Sequence, residues 1–255
     1  MTDFIPLGSA TVAAVFAILL ARQYAGHRRT YQLIWVVSMA LFSMGAFLEF
    51  VMSFTTVSGP LFDLYYASVG PETGLLGAGV VYLLRPRIGK YVLYVVVALS
   101  ACLIVSVIAY PVNINLSATA QPSGPTETYQ QWFQTSVVDG IYYAVNGFGA
   151  IPRAFTQVLN YLGSILVIGG GLLSFIVDRK RTYALVIVLG ASMDAIGGIL
   201  LAVFNYPDLF LYFEFAGIVL LFLGFLMSAR FMSWAAHSRQ GAPPPPPSSS
   251  PSPVA

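Results

Sequence analysis

Glu72, Asp194 and Glu214 each fall inside a long apolar stretch, and no Lys, Arg or His lies at a matching depth in the other stretches. Carboxyl groups are costly to place in hydrocarbon, so acids in such positions call for a use. Without a cation beside them they either hold a proton at neutral pH or share an ion. That pattern fits a proton relay or a cation site. It fits equally a neutral bond in which a protonated carboxyl donates to Ser, Asn or a backbone carbonyl of the next helix.

Depth follows from counting back to the nearest basic residues. Glu72 lies thirteen residues from Arg85 and Asp194 thirteen from Arg181, about 20 Å of helix at 1.5 Å per residue. Glu214 lies sixteen residues from Arg230, about 24 Å along its helix. Against a hydrocarbon core about 30 Å thick, the first two sit just past the midplane and the third in the outer half. Glu49 and Asp63 come out near the outer interface, within reach of water. Gly190, Asp194 and Gly198 share one face, and Gly70, Gly74 and Gly77 flank Glu72; small residues allow close helix approach, so these acids are expected to face other helices. Pro71 frees a backbone carbonyl beside Glu72, as a kink or a ligand oxygen. Gln157, Asn160 and Ser164 form a polar stripe, and with Tyr65 and Tyr212 they are candidates to line a site. Interfacial anchoring accounts for the tyrosines equally well.

The elements that must hold these acids are seven apolar stretches, at about residues 4–22, 30–53, 61–84, 91–110, 154–177, 182–204 and 208–234. A hydrophobic fraction of 57% with only 9% charged residues excludes an ordinary soluble domain. Seven crossings of about 20 residues use nearly all of the 255 residues and leave no room for a globular catalytic domain. Of the 12 basic residues, all but Arg153 fall at alternate joints: Arg22, Arg28 and Arg29; Arg85, Arg87 and Lys90; Arg179, Lys180 and Arg181; Arg230 and Arg239. Positive charge in short joints stays cytoplasmic, so the N-terminus is expected outside and the C-terminus inside, in a multi-pass protein of the plasma (inner) membrane. The residues before the first stretch have no basic run, as expected for a first helix inserted with its N-terminus outward. Residues 111–152 form the one long outer loop, whose second half, Tyr129 to Tyr143, is aromatic and suits the interface. A lid over an outward-facing cavity is the alternative. The Pro/Ser-rich tail, residues 236–255, is expected to be extended and unpacked.

The chain also matches itself. Arg29-Thr30-Tyr31 opens the second stretch and Arg181-Thr182-Tyr183 the sixth, with Leu33, Val36 and Gly45 at the same offset as Leu185, Val188 and Gly197. Pro60, Leu64, Gly70 and Gly77 then match Pro207, Leu211, Gly217 and Gly224 with a shift of five. This predicts a parallel 3+1+3 repeat, a plan that places transporter sites at the repeat interface. Convergence among turn prolines and membrane glycines is the other explanation.

Several classes are excluded. Retinal attachment requires a lysine in the seventh helix, and the only lysines are Lys90 and Lys180. SWEET and PQ-loop transporters share the three-one-three plan, but the chain has no Pro-Gln dipeptide. HExxH, GxSxG and phosphate-binding glycine loops are absent, so neither an enzyme nor a cofactor is indicated. Cys102 stands alone, without a disulfide or thiolate cluster. A net charge of +2 gives no sign of a nucleic-acid partner; the lipid bilayer is the partner implied.

The cluster Arg28-Arg29-Thr30-Tyr31-Gln32-Leu33-Ile34-Trp35 resembles the opening of the second helix in uncharacterised seven-helix membrane proteins of bacteria. Leu64-Tyr65-Tyr66 with Gly70, Tyr82-Leu83-Leu84-Arg85-Pro86 and Phe222-Leu223-Gly224-Phe225-Leu226 continue the resemblance, which implies the fold and no activity. The chain is also similar to the seven-helix sensory regions of some bacterial histidine kinases, but it ends in a proline tail. Two functions remain: a carrier for a small solute, coupled to protons through Asp194, Glu72 and Glu214, or a sensor, apolar-ligand-binding or assembly protein that transports nothing.

Overall fold

Among the described residues, long apolar runs with few interior breakers give seven α-helices and no strand. The structure is a computed structural model that describes residues 4–54, 59–110, 150–204 and 207–240. The helices are α1 (Ile5–His27), α2 (Thr30–Phe54), α3 (Gly59–Leu84), α4 (Pro86–Ala109), α5 (Ala150–Val177), α6 (Thr182–Phe204) and α7 (Pro207–Gln240). Each holds a segment long and apolar enough to cross a bilayer. Most of the expected outer loop, including its aromatic second half, and residues 241–255 of the tail lie outside the described residues.

Helix ends follow local chemistry. α4 starts at Pro86, earlier than the apolar run alone indicates, because proline lacks the N–H that a first helical turn leaves unbonded. Arg87 thereby joins its first turn and Lys90 opens the second. α1 runs on to His27 and closes on Arg28, whose φ of 49° is left-handed and whose N–H donates to the Tyr24 carbonyl at 2.7 Å. Asp178 ties the α5–α6 joint: its carboxylate accepts from the Lys180 N–H at 3.1 Å and from Arg181 Nε at 3.2 Å. α7 continues to Gln240, past the expected start of the tail.

Six helices form a closed ring in the order α1, α2, α3, α5, α6, α7, and α4 packs outside it against α3 and α5. Small residues make the closest approaches. A methyl group on Gly163 of α5 would collide with the Thr73 backbone of α3, and one on Gly77 would lie 2.8 Å from the Gly163 carbonyl oxygen. Gly190 of α6 and Gly217 of α7 meet in the same way, a side chain on Gly190 reaching the Gly217 carbonyl at 2.8 Å. α2 and α3 are joined by side chain-to-backbone bonds. Trp35 Nε1 donates to the Leu76 carbonyl at 3.2 Å and Ser38 Oγ to the Glu72 carbonyl at 2.7 Å. Aromatic packing of Phe16 on Phe222 and Phe225 closes the ring between α1 and α7.

The matched glycines do not all make matched contacts. Gly45 and Gly197 both face the helix that follows them. Gly70 and Gly77, however, face α4 and α5, whereas Gly217 and Gly224 face α6.

Candidate functional site

Glu72 sits immediately after Pro71 in α3, on the side of the helix turned to the ring's interior, and is only 7% exposed. Its Oε1 accepts a hydrogen bond from Thr73 Oγ1 at 2.9 Å, while Oε2 is buried and takes none from the described residues. Asp194 enters from α6, half-buried, beside the contact of Gly190 with Gly217. Both acids line one small cavity on the ring axis, together with Ser38 of α2, Thr73 of α3 and Ser164 of α5. Its volume is about 20 Å³, room for a single water-sized occupant. The level depths counted from Arg85 and Arg181 correspond to two acids that share a cavity.

A second acidic group adjoins the first. Glu214 of α7 is 6% exposed, and Glu49 of α2, 3% exposed, accepts from the Tyr65 hydroxyl at 2.6 Å. The charged groups that act on Glu214 are Glu49, Asp194 and Glu72, and those that act on Glu72 are Asp194 and Glu49. Four buried or half-buried acids thus come from four helices of the ring, and two of them share a cavity.

Glu49 is a correction. Its height along α2 suggested contact with water at the interface, yet it is 3% exposed. Height says nothing of direction, and Glu49 continues the inward line of Ser38, Phe42 and Gly45, at spacings of four, three and four. That spacing was the available signal. Tyr65, expected as site lining, is buried and joins the site through Glu49. Asn160 is half-buried with its Oδ1 enclosed and unbonded. Gln157 is exposed, one residue off the buried line of Pro152, Leu159, Gly163 and Val167. Tyr212 is 52% exposed, off the α7 line of Leu211, Glu214, Ile218, Leu221 and Phe225. The structure does not bring Gln157 or Tyr212 to the acids.

Toward the basic end of the bundle lies a second, larger cavity of about 70 Å³, lined almost wholly by apolar groups from all six ring helices, with Ser174 at that end. Leu76, Val167 and Leu221 border both cavities and form the partition between them. The arrangement stacks an acidic chamber, an apolar partition and an apolar chamber along one axis. Among the described residues no three or more His, Cys, Asp and Glu side chains are placed together to hold a metal ion.

Comparison of the chain with protein-family models, curated proteins and solved structures finds no match.

Proposed function

We propose that the protein is a multi-pass carrier of the plasma (inner) membrane that moves a small solute, coupled to protons or another small cation through Glu72, Asp194 and Glu214, with Glu49 as a fourth member. The observation that carries this reading is a pair of acids from two helices, Glu72 of α3 and Asp194 of α6, on a common cavity inside the ring, with Glu49 of α2 and Glu214 of α7 also buried. Acids placed only for structural hydrogen bonds have no need to meet at one point. The proposed orientation, N-terminus outside and C-terminus inside, rests on the basic joints.

The repeat belongs to the same proposal. Relating α1, α2 and α3 to α5, α6 and α7 turns every contact of the ring into another contact of the ring: α1–α2 into α5–α6, α2–α3 into α6–α7, and α3–α5 into α7–α1. At the offset of 152 residues set by Arg29 and Arg181, Trp35 corresponds to Ile187, Met39 to Ala191 and Phe42 to Asp194. Both members of every pair line the axial cavities. Sites at the interface of such repeats are the rule in carriers built this way.

The reading is tested with purified protein in sealed vesicles that contain a pH-sensitive dye. Solute-driven proton movement by the wild type, abolished in Asp194→Asn, is the expected result. Absence of flux across a broad solute screen, with Asp194→Asn changing thermal stability alone, would sink it. The apolar chamber favours a second reading, a sensor that binds an apolar ligand. That reading predicts saturable binding of an aliphatic probe, lost when Ala184→Phe fills the chamber.

A further inference from the structure

We infer that the cavity between Glu72 and Asp194 is a binding site for one small monovalent cation of the sodium type. The inference deepens the carrier reading and rests on it for its purpose, though not for its chemistry.

The lining offers acceptors and no free donors among the groups whose bonds are defined. A hydroxyl has one proton to donate. That of Ser38 is committed to the Glu72 carbonyl at 2.7 Å, and that of Thr73 to Glu72 Oε1 at 2.9 Å. Toward anything in the cavity, these two oxygens therefore present lone pairs alone. Glu72 is more than nine-tenths buried and its Oε2 takes no hydrogen bond from the described residues. An enclosed carboxyl oxygen without a partner is expensive, and the Glu72 residue that carries it lines a cavity whose other polar members are Asp194 and three hydroxyl side chains, Ser38, Thr73 and Ser164. An all-oxygen donor set selects a hard cation over a soft one.

Size and charge narrow the choice. A cavity of about 20 Å³ admits one bare ion. Magnesium sheds its water reluctantly and normally retains several molecules, for which there is no space. Calcium is usually surrounded by six to eight oxygens, whereas one ionised carboxylate is enough to compensate a monovalent ion, with the second carboxyl kept neutral by a proton. The donors come from α2, α3, α5 and α6, so an ion held here ties together both sides of the ring.

The test uses the full-length protein in detergent at fixed pH and ionic strength. Sodium chloride is expected to raise the thermal midpoint saturably over choline chloride, with potassium requiring at least about tenfold higher concentration. Glu72→Gln and Asp194→Asn should each abolish the sodium-specific shift. Equal midpoints in sodium and choline overturn the site, as does a shift that persists in both variants. Saturation by micromolar calcium overturns the monovalent assignment. Should Glu72→Gln fail to fold, binding of radioactive sodium to the wild type and to the near-isosteric Thr73→Val decides: about tenfold weaker binding by Thr73→Val supports the site and equal binding overturns it. Proton flux without sodium binding would leave the carrier reading standing and this site refuted. Sodium binding without flux of any solute would do the reverse.

Discussion

Tyr65 and Glu49 show how much of the site hangs on single hydrogen bonds. The Tyr65 hydroxyl donates to Glu49 at 2.6 Å, and both side chains are buried. Tyr65→Phe removes that donor and leaves the ring in place. It is expected to cost about 1 kcal/mol, since side-chain hydrogen bonds between membrane helices average somewhat less than that and bonds to charged groups somewhat more; unfolding in detergent and denaturant measures it. Glu214→Gln tests whether that carboxyl carries protons. The amide is nearly isosteric, so stability should stay within about 0.5 kcal/mol of the wild type, while proton flux in vesicles should be lost. Loss of stability with flux retained would show that Glu214 only props the helices apart. Height along the helix was legible for Glu72 and Asp194 because the basic joints supply a ruler. Direction was not legible for Glu49, because α2 is apolar on every side and carries no polar face to mark its outward surface. A buried acid on such a helix is betrayed only by the phase of Ser38, Phe42, Gly45 and Glu49.

At the level of elements, glycines that share a sequence pattern differ in what they meet, and substitutions should separate them. Gly163 lies against the backbone of Thr73, where neither helix can yield without parting α3 from α5. Gly163→Ala is expected to destabilise by about 1–3 kcal/mol through overpacking. Gly198 was grouped with Gly190 and Asp194 by its spacing of four. Yet a methyl group there meets nothing within 4 Å, whereas Gly190 is pressed against Gly217. Gly198→Ala should therefore stabilise, by up to about 1 kcal/mol from helix propensity. Thermal unfolding of the two variants side by side checks the opposite signs, and equal effects would contradict the packing. The number and type of elements could be read from apolar run length, and the early start of α4 was available in Pro86. What sequence could not supply was the ring order. That α4 lies outside while α3 meets α5 depends on which faces carry Gly74, Gly77 and Gly163.

For the whole molecule, the axis through the ring makes orientation and function one question. Ser174 stands at the end of the apolar chamber nearest the basic joints, while Ser38 lines the acidic cavity beyond Leu76, Val167 and Leu221. The sole cysteine, Cys102, faces outward on α4, so Cys102→Ser gives a background free of native thiols. In that background Ser174→Cys should react with a membrane-impermeant maleimide in inverted vesicles and not in intact cells, because the proposed orientation puts this end inside. Reaction in intact cells would reverse the proposed topology. Ser38→Cys should stay unreactive from the same side as long as the three apolar side chains exclude water. Adding Leu221→Ala removes one wall of the partition and should expose Ser38→Cys to a small thiol reagent, accelerating labelling about tenfold or more. Unchanged labelling would mean that the two chambers do not communicate. The acids would then be reached only from the opposite end, and a continuous path through the ring would be ruled out.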